Sequence, residues 1–279
     1  MTLFAILLAA TAWAAAPQRV VSTAPGFTET VHAMGAGNRL IAVSDYCHYP
    51  SQVNKLPRIG SYLKPNVEVI ARMKPDLVLI HSEQGQLVRQ FASLGIRTLA
   101  LRNTNLEETL HSMRQIGEAL EMKDAGIQLE QGIRARLAAL EQRTKAKRTG
   151  TLLFLVGRNP GRLDGMIAVG RGSFLNELIR IAGGRNILHD SPVTYPQISI
   201  ETVIRLDPDV IVDMGDMSET TSVTPQQKVA VERMWKAQKA VRAASQNRIF
   251  AVAADIFVVP GPRVIDAAEA FARMLEGAR

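Results

Sequence analysis

All four tyrosines of the chain fall in loops that lead out of a strand-like run or into a helix-like run. They are Tyr46, Tyr49, Tyr62 and Tyr195. A tyrosine in such a loop offers a rigid, flat face for packing and a hydroxyl group for hydrogen bonding. The four together predict a site for a large, flat and partly apolar ligand. The alternative for each of them is an ordinary half-buried loop aromatic.

Two histidines stand close to the same loops. His48 lies between Tyr46 and Tyr49, and His81 follows an apolar run, two residues before Glu83. An imidazole suits cobalt or iron, so His48 is a candidate axial ligand of a metal-centred ligand, although a lone histidine is more often a surface hydrogen-bonding group. We expect His81 and Glu83 at the carboxyl end of their strand, where parallel sheets bind ligands, and therefore at the rim of the site.

Enzyme signatures are missing from the sequence. It has no Gly-x-Ser-x-Gly, no Walker loop and no His-Glu-x-x-His, and residues 170–173 lack the third glycine of a dinucleotide fingerprint. Too few histidines and carboxylates cluster for a zinc or manganese carrier, so no metal site is predicted. A chelatase-like enzyme with His48, His81 and Glu83 around a metal is the alternative outside the binding proteins.

The elements that must hold these loops are repeated. Residues 66–80 and 199–213 both read as a polar cap, an acidic first turn, a short helix, a Pro-Asp turn and an apolar β-branched run. Glu68 and Glu201 occupy the same place in the two copies, as do the Pro-Asp pairs. The repeat predicts two related lobes.

Strand-like runs alternate with helical segments in each half, which indicates parallel sheets. In the first half the runs are residues 19–22, 40–44, 77–80 and 97–101, and in the second half 151–156, 210–213 and 249–253. Residues 122–148 favour one long helix. The predicted fold is α/β, with two Rossmann-like lobes, mainly parallel in their sheets, joined by this single long backbone helix. We place the N-terminal lobe at 17–121 and the C-terminal lobe at 149–279.

Composition and the first residues bear on location. Residues 3–13 are almost wholly apolar and small residues follow, so residues 1–16 predict a signal peptide, although no basic residue precedes the apolar run. A buried N-terminal strand or helix is the alternative. The single cysteine, Cys47, excludes an intrachain disulfide and is expected to pack as a small apolar group. The net charge of +7 is scattered, which disfavours nucleic acid as a partner.

Several short motifs resemble one family. They are residues 44–50 (Ser-Asp-Tyr-Cys-His-Tyr-Pro), 60–62 (Gly-Ser-Tyr), 195–199 (Tyr-Pro-Gln-Ile-Ser), 255–257 (Asp-Ile-Phe) and 262–263 (Pro-Arg). With the duplicated lobes and the long helix, they resemble the helical-backbone (class III) substrate-binding proteins of ABC importers, and most of all the vitamin B12-binding branch. Haem and ferric-siderophore binders share this scaffold.

The resemblance implies roles for particular residues. Positions matching Tyr62 and Tyr195 carry aromatic residues that clamp the corrin ring, and both are Tyr here where Trp can occur. The position of Asp255 meets the amide periphery of the ligand, and Arg263 orients that loop. Glu68 and Glu201 match glutamates that dock onto arginines of the two membrane subunits. The alternative for both glutamates is a favourable interaction with the helix dipole.

The resemblance therefore implies a monomeric, periplasmic binding protein that captures a corrinoid, cobalamin, and delivers it to an ABC importer. The alternatives are a haem or ferric-siderophore binder of the same class and the chelatase-like enzyme. No cofactor is expected, since the corrinoid is cargo.

Overall fold

The computed structural model describes residues 16–146, 150–215, 224–253 and 255–277. Residues 1–15 of the predicted signal peptide and residues 147–148 of the predicted linking helix lie outside this range. The described chain forms two α/β units, each built on its own sheet. This agrees with the α/β class and the mainly parallel sheets that the sequence predicts.

The N-terminal sheet has four strands in the order β2-β1-β3-β4, all parallel. Its strands are β1 Val20–Ser22, β2 Leu40–Val43, β3 Leu77–His81 and β4 Thr98–Leu101. The central strands are apolar on both faces, as β3 shows with four fully buried residues in succession. Such runs occur where helices cover both faces of a parallel sheet.

The C-terminal sheet repeats this arrangement and adds to it. Its strands are β5 Thr151–Gly157, β6 Met166–Ala168, β7 Arg185–Asn186, β8 Gln197–Ile198, β9 Val210–Asp213 and β10 Ile249–Ala251. Strands β7, β9 and β10 continue β5 in the parallel order β7-β5-β9-β10, which matches β2-β1-β3-β4. Strands β6 and β8 are antiparallel additions at the far end of β5. The duplication seen in the sequence is thus a duplication of topology.

The repeated Pro-Asp turn has the same structural task in both lobes. The Asp76 carboxylate accepts hydrogen bonds from the backbone N–H groups of Gln18 and Arg19, at 2.8 and 2.9 Å. The Asp209 carboxylate accepts one from the N–H of Thr151, at 2.7 Å. Each aspartate therefore ties the turn before the third core strand to the start of the first, which explains why both copies keep it.

The helices lie on the faces of the sheets. They are α1 Pro25–Ala33, α2 Val67–Arg72, α3 Gly85–Ser93, α4 Leu106–Ala119, α5 Lys123–Lys145, α6 Phe174–Ile181, α7 Ile200–Leu206, α8 Pro225–Lys236, α9 Arg242–Ser245 and α10 Val264–Glu276. Short 3-10 turns cover Gly37–Arg39, Ser51–Lys55 and Asp255–Phe257. None of the helices in the described ranges is long and apolar enough to cross a membrane.

Two helices, α4 and α5, connect the lobes. Helix α5 has 23 residues, which at a rise of 1.5 Å per residue is about 35 Å. Helix α4 packs beside it and contributes Leu110 and Met113 to the core of the C-terminal lobe, but Ile116 and Leu120 follow it into the core of the N-terminal lobe. The sequence predicts α5 alone as the connection and places α4 with the first lobe. The packing shows that both helices bridge the two cores.

Candidate ligand-binding site

Two aromatic loops, one helix and one strand end converge on the N-terminal side of the cleft. The rings of Tyr46 and Tyr62 lie 6.2 Å apart between centroids, and those of Tyr62 and His81 lie 6.0 Å apart. Phe27 packs under His81 with centroids 4.8 Å apart. Because His81 ends β3, this cluster stands at the carboxyl end of the parallel sheet, where such sheets bind ligands.

A hydrogen bond from Gln84 fixes the loop that carries Tyr62. The Gln84 side-chain amide donates to the backbone carbonyl of Tyr62 at 2.5 Å. Burial lowers the pKa of His81, and the Glu83 carboxylate opposes that shift only in part. His81 is therefore a neutral imidazole at neutral pH, available for packing and hydrogen bonding. Its role at the rim stays a prediction.

Tyr195 approaches from the C-terminal lobe. It lies just before β8 and its hydroxyl is 3.2 Å from the Ser173 hydroxyl, which caps α6. Burial raises the pKa of Tyr195, and the neighbouring Tyr62 hydroxyl raises it further, while Ser173 lowers it. Yet 43% of Tyr195 is exposed, against 40% of Tyr62. Side chains that are flanked by protein but open to solvent are typical of a cleft, and here they come from opposite lobes.

A charged cluster crosses between the lobes at one end of the cleft. The guanidinium group of Arg263, at the start of α10, donates to the Glu29 carboxylate on α1, with Nε to Oε2 at 2.9 Å. The ring of Tyr49 covers the same guanidinium, whose central carbon lies 4.0 Å from the ring centroid. The Asp255 carboxylate lies 3.9 Å from the Arg263 guanidinium. The sequence predicts Tyr49, Asp255 and Arg263 separately, and the fold brings them together.

Glu29 is a site residue that sequence reasoning missed. Its side chain is only 3% exposed, and it is the only acidic residue of helix α1. Burial raises the pKa of Glu29, and Arg263 counteracts this. An acidic residue in the middle of such a helix was the available signal, since a buried charge requires a partner. The sequence does not name that partner.

The carboxylate of Asp255 is partly buried beside Arg263. Burial raises its pKa, whereas Arg263 and His48 lower it. His48 itself is exposed. The predicted role of His48 as an axial ligand stays a prediction.

Cys47 is fully buried and does not line the cleft. Its Sγ lies 3.2 Å from the hydroxyls of both Thr28 and Ser44, and burial raises the pKa of the thiol. This agrees with the packing role that the sequence predicts. Within the described ranges, no group of three or more His, Cys, Asp and Glu is placed to hold a metal ion.

A second buried charge pair supports the C-terminal side of the cleft. Asp213, the last residue of β9, accepts from Arg158 Nε at 2.9 Å and from the Trp235 indole N–H at 2.7 Å. Arg158 directly follows β5, so the pair joins the carboxyl ends of two adjacent strands. At the corresponding position in the first lobe stands Ile80. This departure from the repeat was visible in the sequence, but its meaning depends on the packing.

The repeated glutamates point away from these buried groups. Glu68 and Glu201 are both exposed, each in the first turn of its helix, α2 and α7. The Ser199 hydroxyl and a backbone N–H lower the pKa of Glu201, so that its carboxylate is ionised at neutral pH. Each helix leads by a tight turn into a strand that runs towards the cleft, so the glutamate end of the helix lies nearer the cleft than its other end.

Comparison with known proteins decides the family. The sequence model of a periplasmic binding protein family matches residues 20–252, which is most of the chain. The chain belongs to the periplasmic binding protein family. The vitamin B12-binding protein of Pectobacterium carotovorum is 31% identical over 273 residues, covering 94% of this chain and 90% of the relative. That of Vibrio cholerae is 30% identical over 256 residues, covering 90% of this chain and 87% of the relative.

Solved structures of periplasmic binding proteins have the same fold. The crystal structure of the vitamin B12-binding protein BtuF of Vibrio cholerae superposes with a TM-score of 0.78 at 28% identity, covering 94% of this chain and 98% of that one. The haem-binding protein RhuT of Roseiflexus sp. superposes with a TM-score of 0.80 at 24% identity, covering 94% and 98%. The likeness to RhuT shows the fold alone. The scaffold therefore does not choose between these ligands, and the choice depends on the cleft.

Proposed function

We propose that this periplasmic binding protein captures cobalamin and delivers it to an ABC importer. The observation that carries the proposal is the pair Tyr62 and Tyr195, which come from opposite lobes, precede equivalent helices and are 40% and 43% exposed. Two such rings suit the packing of a broad macrocycle between the lobes. The same ligand is supported by relatives that are named vitamin B12-binding proteins. The one from Pectobacterium carotovorum is 31% identical to this chain.

The charges at the cleft rim favour a corrinoid over haem. Asp255 offers a carboxylate beside Arg263, whose guanidinium is already paired with Glu29. The edge of cobalamin carries amides, whose N–H groups a carboxylate accepts. The edge of haem carries propionates, which Asp255 repels and which Arg263 is not free to neutralise.

Titration calorimetry with cyanocobalamin, haemin and a ferric hydroxamate tests the ligand. We expect cyanocobalamin to bind with a dissociation constant below about 10 µM and the other two more weakly. Tight haemin binding without cobalamin binding contradicts the proposal and supports the haem alternative. Asp255→Asn is the diagnostic variant, because it removes the charge but keeps the shape. This variant should have more similar dissociation constants for cobalamin and haemin than the unmodified protein has.

The proposal also includes the delivery step. The protein acts as a monomer in the periplasm and docks onto the two membrane subunits of the importer. The exposed Glu68 and Glu201 lie on equivalent helices of the two lobes, so approximate twofold symmetry presents one to each subunit. Charge-assisted pairs with arginines set the orientation and raise the association rate. Glu68→Ala with Glu201→Ala should leave cobalamin affinity unchanged and abolish transport into vesicles that contain the importer. Full transport by this double variant contradicts the docking role.

A further inference from the structure

Helices α2 and α7 carry a second pair of repeated charges, one turn after the glutamates. Arg72 follows Glu68 and Arg205 follows Glu201, each by four residues. This spacing puts the acid and the base on the same face of the helix, about 6 Å apart along its axis. Both arginines are exposed, as both glutamates are.

No strong contact within the protein explains why an arginine stands at this position in both copies. The guanidinium of Arg72 lies 3.9 Å from the Glu68 carboxylate, and the two side chains are 82% and 86% exposed. An ion pair so open to solvent contributes little to stability. The side chain of Arg205, in the last turn of α7, makes no hydrogen bond or ion pair within the part of the chain that the structure describes.

The neighbouring positions, exposed in at least one copy, differ between the copies. Ala71 corresponds to Ile204, and the Pro-Asp pairs that both copies keep have the structural task described above. What remains common to the two surfaces is an acidic residue and, one turn further from the cleft, a basic residue. A charged surface feature that is kept twice in one chain, and that has no internal contact stronger than an exposed ion pair, indicates an external partner that is itself twofold.

We propose that each lobe presents its glutamate and arginine as one couple, Glu68 with Arg72 and Glu201 with Arg205, and that each couple docks onto an opposite couple of a basic and an acidic side chain on one membrane subunit. This rests on the proposed delivery to an ABC importer and adds an acidic group to the expected docking surface. A couple fixes the register of docking, because a shift or reversal brings like charges together. A glutamate alone attracts any nearby cation.

The first test removes the arginines. Arg72→Ala with Arg205→Ala should weaken binding to the importer of the same organism, held in nanodiscs and measured by surface plasmon resonance, by about 5- to 30-fold. Cobalamin affinity and melting temperature should not change. The matched control is Arg97→Ala with Arg185→Ala, which removes the same charge from exposed positions at the starts of β4 and β7, away from the cleft. The control should bind the importer as the unmodified protein does.

A second test exchanges the charges within each couple. The fourfold variant Glu68→Arg, Arg72→Glu, Glu201→Arg and Arg205→Glu keeps the net charge and reverses both couples, so binding to the importer should be lost. Unchanged or tighter binding of the Arg72→Ala and Arg205→Ala variant overturns the proposal. If that happens while the Glu68→Ala and Glu201→Ala variant fails in transport, the glutamate docking stands and only the arginine role is wrong. If both double variants dock normally, the docking part of the proposed function fails as well.

Discussion

At the scale of single residues, Tyr62 and Tyr195 are the best candidates for direct ligand contact. They precede equivalent helices in the two lobes, and each remains two-fifths exposed although protein surrounds it. Tyr195 is oriented by Ser173 at 3.2 Å, and the loop of Tyr62 is held by Gln84. Rings fixed in this way lose little rotamer freedom on binding.

Replacing either tyrosine with alanine should weaken cobalamin binding by about 1–3 kcal/mol, the range for the loss of a buried aromatic anchor. Titration calorimetry measures the change. The control variants Tyr62→Phe and Tyr195→Phe keep the ring and should lose much less affinity. Unchanged affinity in both alanine variants removes the two residues from the site.

His81 makes stability depend on pH. Burial holds its folded-state pKa below the ordinary value of 6.5, so the unfolded chain binds the proton more readily than the folded one. The free energy of unfolding should therefore fall as pH drops through about 6.5 towards the folded-state pKa, with no such loss at higher pH.

The check is urea unfolding at about pH 7.5 and about pH 5.5 for the unmodified protein and for His81→Gln. The variant should lose less stability on acidification. His32, whose pKa is also lowered by burial, acts with the same sign and remains in both proteins. An equal loss in the two proteins shows that His81 does not carry this effect.

At the scale of elements, the close crossing of α4 and α5 holds the connection between the lobes. A Cβ atom added to Gly117 in ideal geometry would lie 2.8 Å from the Cα atom of Gly126, which is too close for two carbon atoms. Only glycines allow the two helices to approach so closely after the short turn at Met122. The crossing keeps α4 where it can pack into both cores.

Gly117→Ala should therefore destabilise the protein by about 1–3 kcal/mol, as overpacking does. Gly132→Ala, in the exposed middle of α5 with nothing within 4 Å, is the matched control. It should stabilise the protein by about 0.5–1 kcal/mol through helix propensity. Thermal unfolding distinguishes the two. Equal effects of the two variants contradict a tight crossing.

At the scale of the whole molecule, the contacts between the lobes oppose a large hinge motion. Both α4 and α5 enter the shared packing, and the Glu29–Arg263 pair joins the lobes with side chains only 3% and 17% exposed. Gly26 and Gly261 bring the two backbones together beside that pair, since a Cβ on Gly26 lies 2.2 Å from the carbonyl oxygen of Pro260.

Scattering curves recorded with and without cobalamin should therefore nearly superimpose. Arg263→Met leaves Glu29 buried without its partner, which should cost about 3–5 kcal/mol of stability. The variant should also increase the radius of gyration that X-ray scattering gives for the ligand-free protein. A marked compaction of the unmodified protein on binding contradicts a rigid connection between the lobes.

The sequence by itself determined the repeated unit. Apolar β-branched runs, helix caps and the Pro-Asp turn act over a few residues, so residues 66–80 and 199–213 carry their local structure with them. The parallel pairing of the core strands follows from their alternation with helices, but the antiparallel strands β6 and β8 were not predicted. The loop tyrosines were also recognisable, because an aromatic residue outside any apolar run has no core to fill.

Only the tertiary structure decided which of these residues meet. Glu29 and Arg263 are 234 positions apart, and nothing in the spacing of either pairs them. The same holds for the sharing of α4 between two cores. Local patterns set the elements, but contacts between lobes depend on how the packed helices orient one sheet against the other, and that orientation is a property of the complete core.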